Sequence, residues 1–72
     1  MFITGTITRK QGAIVNWYRC DDDEEPVLLA TQTDLPADIQ FHGEFDEGEE
    51  ELTFDLGGGI FGVIAKSDAV IS

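Results

Sequence analysis

Few side chains in this 72-residue chain do chemistry near neutral pH: one histidine, His42, one cysteine, Cys20, and 15 carboxylates. Histidine titrates in that range and serves as general base or metal ligand, so its surroundings come first. His42 lies in the alternating stretch IQFHGEF, and a hairpin with ELTFDL that opposes Phe45 to Leu52 sets His42 opposite Asp55. A carboxylate behind an imidazole is the orienting half of a catalytic triad. The nucleophile is missing: Cys20 adjoins the five acids of DDDEE, whose charge disfavours a thiolate, and Ser67 lies near the end of the chain. The pair His42 and Asp55 is therefore expected to be structural, and no enzymatic activity is expected.

Metal and cofactor patterns fail on their spacing. One histidine and one cysteine cannot complete a Cys/His zinc cage, nor can a lone cysteine form an internal disulfide. Asp21, Asp23 and Glu25 fall at positions one, three and five of a calcium loop, but Pro26 replaces the glycine at six and Gln32 the bidentate glutamate at twelve. A loop begun at Asp46 puts Gly48 at position three and Glu51 at six, which is no better. Gly57, Gly59 and Gly62 spell G-x-G-x-x-G after a strand, yet a dinucleotide site needs a helix there, and IFGVIA reads as a strand. These glycines are expected to make a flexible turn over residues 57–59 and a tight strand at Gly62 where another backbone comes close. No cofactor and no dedicated metal site are expected, and a chain of this size is too small for the cleft a glycosidase needs.

The acids themselves are the strongest functional feature. Residues 1–20 carry Arg9, Lys10 and Arg19 without an acid, +3; residues 21–55 carry 14 acids without Lys or Arg, −14; residues 56–72 balance Lys66 against Asp68, so the total is +3 − 14 + 0 = −11. Such charge disfavours direct contact with DNA, RNA or anionic lipid, all polyanions, and favours a basic protein surface. Acids two apart on a strand stand roughly 6.6 Å apart, on the scale of successive phosphates. The expected partner-binding set is Asp21, Asp22, Asp23, Glu24 and Glu25 in one loop, with Glu44, Asp46, Glu47, Glu49, Glu50, Glu51 and Asp55 around a second. Tyr18 joins them, because Trp17 shares a face with Ala13 and Val15 and is expected in the core, which turns Tyr18 to the other face beside Ile14 and Cys20.

Short strands must position these groups. Alternation with period two places Ile39, Phe41, Gly43 and Phe45 inward against Gln40, His42 and Glu44, and Leu52, Phe54 and Leu56 inward against Glu51, Thr53 and Asp55. The Phe45–Leu52 register is preferred to Phe45–Glu50 because the latter puts Glu44 opposite Glu51. FITGTIT and AIVNWYR read as a hairpin around Lys10-Gln11-Gly12, PVLLATQT starts a strand at Pro26, IFGVIA reads as a central strand, and AVI at 69–71 as a short closing one. DLPAD suits a single helical turn capped by Asp34.

The expectation is a single all-β domain over residues 1–72, a small six-stranded antiparallel barrel or sandwich, mostly hairpin-connected; an α+β fold with one short helix within 27–40 is the alternative. Functionally the reading is a non-enzymatic acidic module that engages a basic protein, as a nucleic-acid-mimicking inhibitor of a nucleic-acid-binding protein, with a phage or mobile-element origin in keeping. The competing reading is an assembly subunit, a homo-oligomer joined through the apolar faces of residues 60–65 and Tyr18. MFITGTITRK lacks the basic start and apolar run of a signal peptide, and no apolar run reaches a membrane span, so a cytoplasmic location is expected.

Overall fold

In the computed structural model, which describes residues 2–33, 36 and 38–72, the alternating stretches form seven strands. They are β1 (Phe2–Arg9), β2 (Val15–Arg19), β3 (Val27–Gln32), β4 (Gln40–Glu47), β5 (Glu51–Gly57), β6 (Ile60–Ala65) and β7 (Ala69–Ile71), with a 3₁₀ turn at Lys66–Asp68. All pair antiparallel in one sheet of order β3-β2-β6-β5-β4-β1-β7. The fold is all-β, and no α-helix occurs among the described residues; residues 27–32, where a helix was the alternative, are strand. The sheet stays open, since β3 and β7 each have a neighbour on one side only. Residues 69–71 do form a strand, but it extends the sheet beyond β1 instead of closing a barrel.

Alternation chooses the faces and curvature makes the core. Ile7 of β1, Val15 of β2, Phe45 of β4, Leu52 and Phe54 of β5, and Ile64 of β6 are fully buried together with Ala13 of the β1–β2 link. Strands β1 and β2 are separated by three others in the sheet, so they share a core only because the sheet curls on itself. Trp17 and Phe41 close over this cluster. Gly62 is required here: a Cβ on it would lie 2.6 Å from Cε2 of Phe54, whose ring occupies that space. The close approach expected at Gly62 is made by an aromatic ring and not by another backbone.

Two pairings differ from expectation. The chain does turn after Lys10, where the Ala13 amide donates to the Lys10 carbonyl at 3.1 Å, but β1 pairs with β4 and β7 while β2 pairs with β3 and β6. A turn signal reports a change of chain direction, whereas strand partners are settled by distant segments. In the β4–β5 hairpin Phe45 opposes Phe54 and Glu47 opposes Leu52, two residues away from the expected register. The even shift keeps Phe45, Leu52 and Phe54 inside and Thr53 and Asp55 outside while changing every partner. The turn lies one residue later than that register requires: the Gly48 amide donates to the Glu51 carbonyl at 3.0 Å, which puts the turn at Glu49-Glu50 in place of Gly48-Glu49.

His42 is consequently not opposite Asp55. It opposes Thr6 of β1, with Nδ1 3.0 Å from the Thr6 hydroxyl. Leu56, expected inside, is 55% exposed, because a register irregularity between Asp55 and Gly57 breaks the alternation there. The turn that follows takes positive φ at Gly57, Gly58 and Gly59 (83°, 66° and 82°), which is the reason for glycine at all three. The helical turn expected over residues 34–38 involves residues 34, 35 and 37 and lies outside the described residues.

One cation is inside. Arg9, at the end of β1, is 2% exposed; its Nη2 donates to the Pro36 carbonyl and its guanidinium stands 5.5 Å from the Phe41 ring centroid. Nε and Nη1 have no hydrogen-bond partner among the described residues. Burial lowers the Arg9 pKa, and Asp38 nearby pushes it back up.

Candidate protein-interaction face

The outer face carries the residues that alternate with the core. Glu44 and Asp46 of β4 and Thr53 and Asp55 of β5 point there, with Phe61 of β6 paired to Asp55 and Phe2 of β1 paired to Asp46. Together with Cys20 and Gly59 these side chains line a groove of about 320 Å³. Its wall combines two aromatic rings, Phe2 and Phe61, with three carboxylates, Glu44, Asp46 and Asp55. Tyr18 is not in the groove wall but stacks on Phe61, centroids 5.4 Å apart and planes 14° from parallel, which holds that ring in place. The Gly57 amide donates to Asp55 Oδ1 at 2.7 Å, fixing this carboxylate at the start of the glycine turn.

The loop of residues 21–25 begins at the groove's lip. The Cys20 amide donates to the Gly59 carbonyl at 2.8 Å, and Cys20 itself lines the groove, so the acids that follow leave from that edge. The loop has internal order: the Glu24 amide donates to the Asp21 carbonyl at 3.1 Å, the Cys20 thiol to the Glu24 carbonyl at 3.3 Å, and Arg19 Nε to Asp21 Oδ1 at 3.3 Å. Asp22, Asp23, Glu24 and Glu25 are exposed.

The second acidic stretch lies at the other end. β5 runs from Glu51 to Gly57, about 20 Å at the usual strand rise, and separates the two loops. Glu47 falls in the inward row at the rim and is paired with Lys66 Nζ at 2.5 Å. Glu49 and Glu50 flank a shallow pocket with Lys66 and Ser67, and the Lys66 amide donates to the Glu50 carbonyl at 2.8 Å. Glu51 is exposed on the outer row of β5, two residues beyond Thr53. Of the expected set, then, Glu44, Asp46 and Asp55 converge, residues 21–25 adjoin them, and Glu47, Glu49 and Glu50 gather apart.

Phe2, Phe61, Cys20, Thr53 and Gly59 are site residues the sequence reading did not find. Phe61 had a signal, since Phe61 and Val63 alternate with Gly62 and Ile64, but a strand apolar on both faces hides which row points out. Among the described residues no group of three or more His, Cys, Asp or Glu is placed to hold a metal ion. No helix among them is long and apolar enough to cross a membrane. Comparison with protein-family models, curated proteins and solved structures returns no match.

Proposed function

We propose that the protein is an acidic interaction module whose outer face engages a basic protein surface, with a lysine or arginine side chain of the partner entering the groove. The observation that carries this reading is the meeting of Phe2 and Phe61 with three carboxylates in one depression. A guanidinium or ammonium has affinity for an aromatic face and for carboxylates at once, and a partly dry recess strengthens both attractions. Residues 21–25 add a negative field at the lip that steers basic partners toward it.

A nucleic-acid-binding protein is the partner class that this pattern suits. Glu44 and Asp46 stand on one strand at a spacing of roughly 6.6 Å, near that of neighbouring phosphates, and sit on a sheet instead of a mobile tail. A module that occupies such a groove inhibits its owner by occlusion and needs no catalytic group. Attraction of this kind weakens as salt rises.

The test pairs Glu44→Gln with Asp55→Asn, which removes two charges while leaving Asp55's acceptor oxygen for Gly57. Titration with a short oligoarginine peptide, followed by amide shifts, should perturb Thr53, Asp55 and Phe61 in the wild type. The double variant should bind roughly tenfold more weakly at low salt. Equal binding by the two proteins, or shifts confined to residues 47–50, would overturn the proposal.

A further inference from the structure

The two edges of the sheet are treated differently. β7 has three residues, and the chain after it is bonded to β1, where Ser72 exchanges amide and carbonyl hydrogen bonds with Thr6 at 2.9 Å each way. β3 has six residues, VLLATQ, all exposed, with Val27, Leu28 and Leu29 at 59%, 52% and 53%. It contains no charge, proline or glycine, three of the devices that usually blunt an edge; its one irregularity is a bulge at Leu29, where the ladder steps from Trp17–Ala30 to Tyr18–Leu28. On either side of the bulge, alternate residues turn their backbone N–H and C=O groups toward β2 and the residues between turn theirs away from the sheet. At its start a pocket of about 260 Å³ is lined by Arg19, Asp21, Glu24, Glu25, Val27 and Leu29.

We infer that β3 accepts an extended strand of a partner protein as an eighth strand of the sheet. The added strand supplies main-chain hydrogen bonds to the outer side of β3 on each side of the bulge, lays apolar side chains against Leu28 and Leu29, and ends in a lysine or arginine that enters the pocket beside Glu24 and Glu25. Charge selects this occupant over a second copy. Two copies joined through β3 bring together bodies of −11 each, with a five-acid run beside both ends of the joint. A strand with basic flanks meets attraction at the same place. The inference goes beyond the groove proposed above, uses a different surface, and shares with it only the basic character of the partner.

The test uses a synthetic peptide of about ten residues, alternating threonine and valine with lysine pairs at both ends, against the intact protein. Hydrogen exchange at the β3 amides should slow when the peptide is added. Leu29→Lys, an exposed edge position, should weaken binding by roughly tenfold or more while circular dichroism and Trp17 fluorescence stay unchanged. Glu24→Gln with Glu25→Gln provides a second variant without an edge substitution and should weaken the lysine-ended peptide toward the affinity of a serine-ended control. Glu44→Gln with Asp55→Asn should leave this binding intact. Peptide binding that survives Leu29→Lys, or β3 amides that never gain protection, overturns the inference. So does sedimentation showing a dimer of the protein alone with β3 already protected, because the second copy is then the occupant. Loss of binding only in the groove variant refutes the edge and leaves the groove reading standing.

Discussion

Two aromatic groups sit back to back across this sheet, and they have opposite fates. Inside, Trp17, Phe41 and Phe54 meet edge to face and stacked, with centroids 4.4 to 5.7 Å apart, and the Trp17 indole donates to Gln32 Oε1 at 2.7 Å. Outside, Tyr18 and Phe61 stack half-buried, with Phe61 beside Glu44, Asp46 and Asp55. Trp17 and Tyr18 are neighbours in the chain, so alternation alone sends one to each face. What separates core from binding surface is the curl of the sheet, which wraps one face and leaves the other open. An uncovered aromatic face among acids is a place for a cationic ligand, whereas the same rings wrapped by strands are stability.

This contrast can be broken most severely from within. Phe54→Ala should cost about 3–5 kcal/mol, because the ring packs against Trp17, Phe41 and the space that Gly62 leaves for it. Urea denaturation measures it, and a cost near that of an exposed position would mean that the inner face is not the core.

Arg9→Met should have the next largest effect and the opposite sign. The guanidinium is buried with Nε and Nη1 unpartnered among the described residues, so an apolar side chain of similar length should hold or raise stability, by roughly 1–2 kcal/mol. A lowered pKa in the folded protein means that folding disfavours the charged form, so this cost would be relieved only as pH climbs toward that pKa. Between about pH 5 and 9 both folded and unfolded chains keep the proton, and the difference between variant and wild type should be flat. A strongly destabilised Arg9→Met would show instead that the cation holds the segment around Pro36 and Asp38 in place.

The smallest change comes from outside. Phe61→Ala removes one stacked pair on the open face and should cost about 1 kcal/mol, while weakening oligoarginine binding. Stability lost to the same extent as in Phe54→Ala would place Phe61 in a core and remove the binding role.

Much of this was readable from alternation. The inward row of Phe41, Phe45, Leu52 and Phe54 and the outward row of Glu44, Thr53 and Asp55 follow from period two, and the turn at residues 57–59 from three glycines in succession. Period two names a face and not a partner, which is why a register wrong by two residues still put each of these side chains on its proper side. His42 exposed the limit of that logic: its partner, Thr6, belongs to a strand 36 residues away, and no local pattern in IQFHGEF points to it. Leu56 failed for another reason, since one irregular step before the glycine turn reverses the alternation. Among site residues, Glu44, Asp46 and Asp55 were legible as outward acids, but their convergence with Phe2 and Phe61 was not.

The sequence by itself determined that this chain is β-rich, acidic, and divided between a cationic start and an anionic middle, because composition and alternation are local properties that survive any arrangement of the strands. Only the tertiary structure decided that β1 leaves β2 for β4, that the two acidic loops lie at opposite ends of β5, and that β3 is left at an open edge. Those outcomes depend on which distant strands pair and on how far the sheet curls, and both are settled by the joint burial of Ile7, Val15, Phe45, Phe54 and Ile64 rather than by any one segment.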